Sequence, residues 1–218
     1  MTKEQVLRRQ IVEVGRRMYL KTLVVATEGN ISVRLTSQRA LMTPTGAWKG
    51  FLSPADMVVV DLDGKPGAPR PPAAGPRPSM EFPMHRGIYR ARPDVWAVVH
   101  AHPPVATGFA VAGIPLDQPI LAEAVLVLGP VPVVPYATPA TDALPASIEP
   151  YLKHHNALLL ANHGAVTVGR TLWEAYARME ILEHLAHIQL TARLLGKANG
   201  IPPAEIRKLQ DLLAKPAL

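Results

Sequence analysis

The sequence contains no cysteine among its 218 residues, and this absence removes several kinds of site at once. Disulfide bonds, thiolate nucleophiles and zinc sites built on cysteine are all excluded. Any metal ion must therefore be held by histidine nitrogens and carboxylate oxygens.

Three further signals are missing. There is no apolar run of about 18 residues, and residues 1–5 lack the apolar core and cleavage site of a signal peptide. The sequence has no Gly-rich phosphate loop at a strand-to-helix junction, so it gives no reason to expect NAD or ATP binding. We expect a cytoplasmic protein that does not associate with membranes.

The net charge of the chain does not by itself identify a binding partner. The net charge is +6, but the basic residues are spread along the chain and form no cluster interleaved with aromatic residues. Nucleic-acid binding is therefore not expected. A positive field attracts small anionic substrates such as sugar phosphates equally well.

The composition is that of one folded domain spanning residues 1–218. Hydrophobic residues make up 48% of the chain and charged residues 18%, which is enough apolar material for a core. The 23 prolines indicate many loops. Residues 65–78, rich in proline and glycine, are predicted to form one exposed loop.

Apolar periodicity predicts the secondary structure. Helices are expected over residues 3–22, 80–90 and 172–195, after Pro103-Pro104 and after Pro202-Pro203. Strands are expected over residues 31–35, 40–43, 57–60, 96–99, 131–134, 157–160 and 165–168. Strands grouped early, in a meander, and mixed with helices later predict an α/β domain around a largely antiparallel sheet.

His100-Ala101-His102 is the first candidate metal site. In an extended segment, residues two apart lie on the same face, so both imidazoles can reach one ion. Alone, the pair has about even odds of being two incidental histidines.

Two other segments offer partners for this pair. His163 follows an apolar strand and precedes Gly164, although a turn histidine that only forms hydrogen bonds is the commoner case. Glu81 follows the proline-rich loop and is expected in the first turn of its helix, where it could merely complement the helix dipole. A carboxylate that binds an ion and then leaves it would become a general base.

A competing cluster lies on the long C-terminal helix. Its members, spaced by three or four residues, are Glu180, Glu183, His184 and His187. Such spacing can build a metal site in a four-helix bundle, but the strand-rich pattern here opposes that fold. We interpret the cluster as a polar helix face, and His154 and His155 as cations at a helix end.

The assembled residues resemble the class II aldolase and adducin superfamily, and within it the fuculose-phosphate aldolases, over roughly residues 5–195. The resemblance is carried by six segments in family order: 29–34 (GNISVR), 43–46 (TPTG), 78–81 (PSME) with His85, 100–102 (HAH), 135–137 (PYA) and 162–164 (NHG). Six motifs in order are far more specific than any one of them.

The resemblance implies a three-layer αβα domain and a homotetramer with active sites at subunit interfaces. It implies Zn²⁺, or another divalent metal, held by Glu81, His100, His102 and His163, with Glu81 also moving a proton. The substrate would be a sugar phosphate whose enediolate is stabilised by the ion during aldol cleavage. The residues implied for phosphate binding are Asn30, Thr45, Gly46 and Ser79.

Two departures keep other activities open. Met80 replaces one of the paired serines that precede the glutamate in the fuculose enzymes, and Glu123 stands near the position of their proton-donating tyrosine. A decarboxylase of a keto or aromatic acid is therefore the main alternative, followed by a pentulose-phosphate 4-epimerase. A non-catalytic adducin-like module is disfavoured because all four candidate ligands are retained.

Overall fold

The computed structural model describes residues 1–63 and 75–214, and a seven-stranded sheet forms its centre. The strands are β1 (Asn30–Arg34), β2 (Arg39–Met42), β3 (Val58–Asp61), β4 (Ala97–Ala101), β5 (Val133–Val134), β6 (Ala157–Leu160) and β7 (Gly164–Gly169). Their order is β3-β2-β1-β4-β7-β6-β5. Only β5 and β6 pair in parallel. The predicted meander and the mainly antiparallel sheet are confirmed.

The described helices cover both faces of this sheet. They are α1 (Lys3–Leu20), α2 (Phe82–Ala91), α3 (Pro104–Val111), α4 (Ala122–Val127), α5 (Ala143–Leu152), α6 (Leu172–Leu194) and α7 (Pro203–Ala214), with 3₁₀ turns at Lys49–Phe51 and Pro54–Asp56. Within residues 1–63 and 75–214, none of the helices combines the length and apolar character needed to cross a bilayer.

Two apolar cores lie on opposite faces of the sheet. Val99 of β4 packs in a core with side chains of α1, α3 and α6, whereas its neighbour Val98 packs in a second core with α2 and α5. Adjacent residues of a strand face opposite ways, so the sheet separates two helical layers. The three-layer αβα fold is confirmed.

Burial on both faces alters the meaning of the alternating pattern in β1. All five residues of this strand are buried, including the polar Ser32 and Arg34. Both side chains form hydrogen bonds with α2 or the segment after it: Ser32 with Tyr89, and Arg34 with the carbonyl oxygen of Val95. The polar positions of β1 thus face a second layer of protein and not solvent.

Several predicted boundaries need correction. Helix α1 ends at Leu20, because the chain turns at Thr22, whose φ is +56°. Helix α2 begins at Phe82, so Glu81 is its N-cap residue and does not lie in the first turn. Strand β4 extends to Ala101, so His100 lies inside it; pairing with β1 and β7 on both sides holds this extra length.

The sequence predicted β5, α4 and α5 incompletely or not at all. Strand β5 is reduced to two residues, and Val131 instead pairs with Leu116 in an isolated bridge. Helix α4 and the bounds of α5 had no counterpart in the apolar pattern. Of the loop predicted at 65–78, residues 65–74 lie outside the described residues.

The polar face of α6 has a structural role, as interpreted. Glu180 accepts a hydrogen bond from the Tyr176 hydroxyl and pairs with Lys21, while His184 and His187 are exposed. Glu183 accepts hydrogen bonds from the backbone N–H groups of Val105 (3.0 Å) and Ala106 (2.8 Å), in the first turn of α3. This carboxylate therefore satisfies donors that the helix itself leaves unpaired.

Replacement of Glu183 by alanine should destabilise the fold. Two N–H groups of α3 would lose their acceptor, and loss of such a cap costs about 1–2 kcal/mol of the free energy of unfolding. Urea denaturation measures this loss. The matched control is Glu205→Ala on α7, whose carboxylate is exposed and, within the described part of the chain, pairs only with Lys208. Equal stability of the two variants would contradict the capping role.

Candidate functional site

The site begins at the end of β4, in the middle of the sheet. Asn30 of β1 pairs directly with His100 of β4, and both side chains point to the face that α2 covers. His102 directly follows the last residue of β4, and its Nε2 lies 3.1 Å from Nε2 of His100. The prediction that the two imidazoles share a face and can reach one point is confirmed.

His163 reaches the same point from the turn between β6 and β7. Asn162 adopts φ +54° in this turn, and Gly164 then starts β7. A Cβ on Gly164 would lie 2.5 Å from the carbonyl oxygen of Ala101 and 2.6 Å from Cδ2 of His102. Glycine is therefore required here for the β7 backbone to approach the histidine pair.

Glu81 completes the group from the start of α2. Its Oε2 lies 3.0 Å from Nε2 of His100, and its Oε1 lies 3.0 Å from Nε2 of His163. Its N-cap position leaves the carboxylate free of the helix, since it makes no capping hydrogen bond. The four side chains singled out in the sequence thus converge on one point.

Electrostatics keep this carboxylate ionised. Burial alone would raise the pKa of Glu81, but the imidazoles of His100 and His163 outweigh it and hold the pKa well below its ordinary value. In return, the Glu81 carboxylate raises the pKa of His100 against the opposing effect of burial. Burial, with His100 and His163 nearby, lowers the pKa of His102 to about 3. His102 is therefore a neutral nitrogen donor.

These residues fit a divalent metal ion. The ligand atoms of the three histidines lie within 4.8 Å of one another. Tetrahedral zinc with bonds of about 2.1 Å requires donor separations of about 3.4 Å, close to the spacings seen here. Nδ1 of His100 donates to the carbonyl oxygen of Ala165, which directs the Nε2 lone pair toward the site. Oε1 of Glu81 is buried, and within residues 1–63 and 75–214 it has no hydrogen-bond partner besides the ion-pair contact with Nε2 of His163, so a cation would satisfy it.

A cavity of about 340 Å³ opens beside the histidines. All four residues predicted for phosphate binding line it: Asn30, Thr45, Gly46 and Ser79. Thr45 and Gly46 are exposed, whereas Asn30 is buried and donates from Nδ2 to Oε2 of Glu81 (2.7 Å). The predicted residues are therefore brought together, and their phosphate-binding role stays a prediction.

Two charged residues of the cavity were not found from the sequence. Lys49 is 1% exposed, and its Nζ donates to the carbonyl oxygens of Thr27 (2.8 Å) and Ala47 (2.6 Å). Burial lowers the pKa of Lys49 to about 8. Glu28 lies with one oxygen 3.5 Å from Nδ1 of His102. The only available sequence signal was their position next to the 29–34 and 43–46 motifs.

The two departures noted in the sequence occupy different places. Met80 is exposed and lines the cavity. Glu123 is exposed on α4 and is not part of the cavity lining of its own chain. The homotetramer with interfacial active sites stays a prediction, and so does any role of Glu123 in a neighbouring subunit.

Comparison with known proteins identifies the family. The Class II Aldolase and Adducin N-terminal domain matches residues 9–190. A 3-oxo-tetronate 4-phosphate decarboxylase of Haemophilus influenzae is 32% identical over 207 residues, covering 92% of this chain and 94% of the relative. An L-fuculose phosphate aldolase of Methanococcus vannielii is 33% identical over 180 residues, covering 83% and 93%.

A solved structure agrees with this assignment. YgbL of Klebsiella pneumoniae superposes with a TM-score of 0.83 at 32% identity, over 96% of this chain and 100% of that chain. The fold, the order of the motifs and the convergence of three histidines and a carboxylate are thus found together. The chain belongs to the class II aldolase and adducin family, and it is a lyase of the divalent-metal-dependent type.

Proposed function

We infer that this enzyme cleaves a carbon–carbon bond next to the carbonyl group of a sugar phosphate, in an aldol cleavage of the L-fuculose 1-phosphate type. The observation that carries this proposal is the convergence of His100, His102, His163 and Glu81 at the wall of an anion-compatible cavity. These four residues would hold the ion, and zinc suits their nitrogen and oxygen donors.

A divalent ion bound there supplies Lewis-acid stabilisation of the negative charge that develops on the substrate oxygens when the bond breaks. Glu81 supplies the proton transfer. Its carboxylate is ionised, and in the described part of the chain its buried Oε1 has no hydrogen-bond partner beyond the contact with Nε2 of His163. A carboxylate that leaves the ion when substrate binds would be able to take a proton from a substrate carbon in condensation and return it in cleavage.

Other residues of the cavity lining suit the phosphate group. Thr45 and Ser79 offer hydroxyl groups, and Gly46 allows close approach of the backbone at φ +69°. Lys49 adds a positive charge, held in place by two backbone carbonyl groups. A fixed cation together with polar donors is an arrangement that favours an anion.

Decarboxylation of a β-keto acid phosphate is the second candidate function. Aldol cleavage needs a second group to accept the proton of the hydroxyl at the bond that breaks, whereas loss of carbon dioxide does not. Among the described residues of this chain, no tyrosine lines the cavity, and Met80 in the lining offers no hydroxyl donor. The decarboxylase of Haemophilus influenzae, similar over 92% of this chain, supports the same candidate.

Two assays separate the candidates. Zinc-loaded protein should release dihydroxyacetone phosphate from L-fuculose 1-phosphate, measured by coupled NADH oxidation. Carbon dioxide release from 3-oxo-tetronate 4-phosphate, without the first activity, would establish the decarboxylase instead. Either activity should vanish on chelation and return with zinc. Glu81→Gln should lower kcat about 10²–10⁴-fold. Cleavage of neither compound by metal-loaded protein would refute the proposal.

Gly164→Ala should weaken metal binding. The new Cβ would meet the carbonyl oxygen of Ala101 and Cδ2 of His102 at 2.5–2.6 Å, so the histidine pair must move. We expect an affinity loss of about tenfold or more, as for other changes that misplace a ligand. Chelator competition measures the Kd for zinc. The matched control is Gly108→Ala in α3, where the added Cβ meets nothing within 4 Å. An affinity within twofold of the unaltered protein would contradict this prediction.

Lys49→Met should reduce affinity for the phosphate group specifically. Loss of a buried cation facing an anion should raise KM for the phosphorylated substrate about tenfold or more, while kcat/KM for its unphosphorylated analogue stays unchanged. Steady-state kinetics with both substrates measures the difference. Lys21→Met, which removes an exposed cation paired with Glu180, is the control. Equal losses for both substrates would indicate general damage to the fold and not a phosphate contact.

A further inference from the structure

A chain of buried polar side chains leads from Glu81 into the interior, beginning with Asn30, which also lines the cavity. Asn30 contacts Glu81, and His85 of α2 contacts Asn30 with its Nε2 2.5 Å from Oδ1. Nδ1 of His85 lies 2.7 Å from the Ser32 hydroxyl, which lies 2.8 Å from the Tyr89 hydroxyl. The four side chains behind Glu81 are at most 3% exposed. We call these four residues the buried relay.

The direction of every hydrogen bond in the buried relay follows from Glu81. An ionised carboxylate only accepts, so Asn30 must present its Nδ2 to Glu81 and its Oδ1 to His85. His85 must then carry its hydrogen on Nε2. A fully buried imidazole is neutral, since burial lowers the pKa of His85 to about 3, so Nδ1 is an acceptor.

The donor and acceptor roles of Ser32 and Tyr89 follow from the acceptor at Nδ1 of His85. The Ser32 hydroxyl donates to Nδ1 of His85, so its oxygen is free to accept from the Tyr89 hydroxyl. The backbone of Tyr89 is fixed in turn, because its carbonyl oxygen accepts from Nη2 of Arg34, 2.5 Å away. One consistent orientation therefore runs from Arg34 and Tyr89 to the carboxylate.

The opposite orientation fails at the Glu81 end of Asn30. A rotated amide would place Oδ1 against the carboxylate of Glu81, so that two acceptors would face each other in a buried place, where an unmade hydrogen bond is most costly. With the amide the right way round, the Nε2–H tautomer of His85 satisfies its Oδ1. The side-chain amide of Asn30 therefore has a single orientation.

We propose that the buried relay is a positioning device for Glu81: His85, oriented by Ser32, fixes the Asn30 amide so that it holds Oε2 and leaves Oε1 directed at the metal position. The proposal rests on the proposed function of Glu81 as a ligand and proton-transfer group. It assigns His85, Ser32 and Tyr89 to the site although none of them lines the cavity.

The relay is tested by the zinc affinity of purified protein, which needs no substrate. His85→Leu removes the donor to Asn30 and should raise the Kd for zinc roughly 10–100-fold, the usual effect of losing a group that orients a metal ligand. His85→Gln can still donate to Asn30 through its amide and should recover most of that loss. Ser32→Ala, a smaller change that frees the tautomer of His85, should raise the Kd roughly twofold to tenfold.

The matched control for His85→Leu is Gln189→Leu on α6. Gln189 is also fully buried, and its amide has no hydrogen-bond partner among the described residues, so its replacement should leave the Kd unchanged. A Kd within twofold of the unaltered protein for both His85→Leu and Ser32→Ala would overturn the relay. If His85→Leu does not fold, Ser32→Ala and His85→Gln decide the question.

The outcomes separate the relay from the proposed function. Zinc binding that depends on His85, without cleavage of either sugar phosphate, would support the relay and refute the proposed substrates. Zinc binding unaffected by these variants, with cleavage retained, would refute only the relay. Failure of the unaltered protein to bind zinc or another divalent ion would refute both.

Discussion

The site depends above all on the antiparallel register of β1, β4 and β7. Pairing of Asn30 with His100 and of Ala101 with Ala165 fixes where β4 stops relative to its neighbours. A shift of one residue would turn His100 to the opposite face of the sheet, away from Glu81. The absence of a side chain at Gly164 lets β7 come close enough for His163 to join the pair. Backbone pairing thus brings the three candidate ligands together without any contribution from a metal ion.

A buried carboxylate is the second constraint, and it explains the polar residues around the site. Ionised groups are rarely buried without partners, because removal from water costs several kcal/mol. Glu81 is compensated by His100 and His163 on one side and by the Asn30 amide on the other. Since the oxygen of that amide is also buried and contacts His85, the cost of burying one charge extends to a chain of neutral groups in the second core.

The sequence predicts the parts of the site that depend on local spacing. His100 and His102 share a face because they are two residues apart in an extended segment, and His163 needs a glycine after it because strands meet there. Lys49 and Glu28 are not predictable in this way, because their roles come from contacts across the fold. The predicted start of α2 lies two residues too early. Met80 and Glu81 form a turn before the helix, and contacts of the site determine this turn, which helical periodicity cannot show.

The structure also separates the candidate metal position from the exposed loops of the cavity. The three histidines lie on or directly beside central strands, and Glu81 is fixed from behind by buried groups. Met80, Thr45 and Gly46, by contrast, are exposed in the loops that line the cavity. Under the proposed function, substitutions in those loops would change the group that leaves, an aldehyde or carbon dioxide, without moving a candidate ligand. Relatives of similar identity to this chain can therefore carry the names of an aldolase and a decarboxylase, since both reactions need the same charge stabilisation at the same carbonyl.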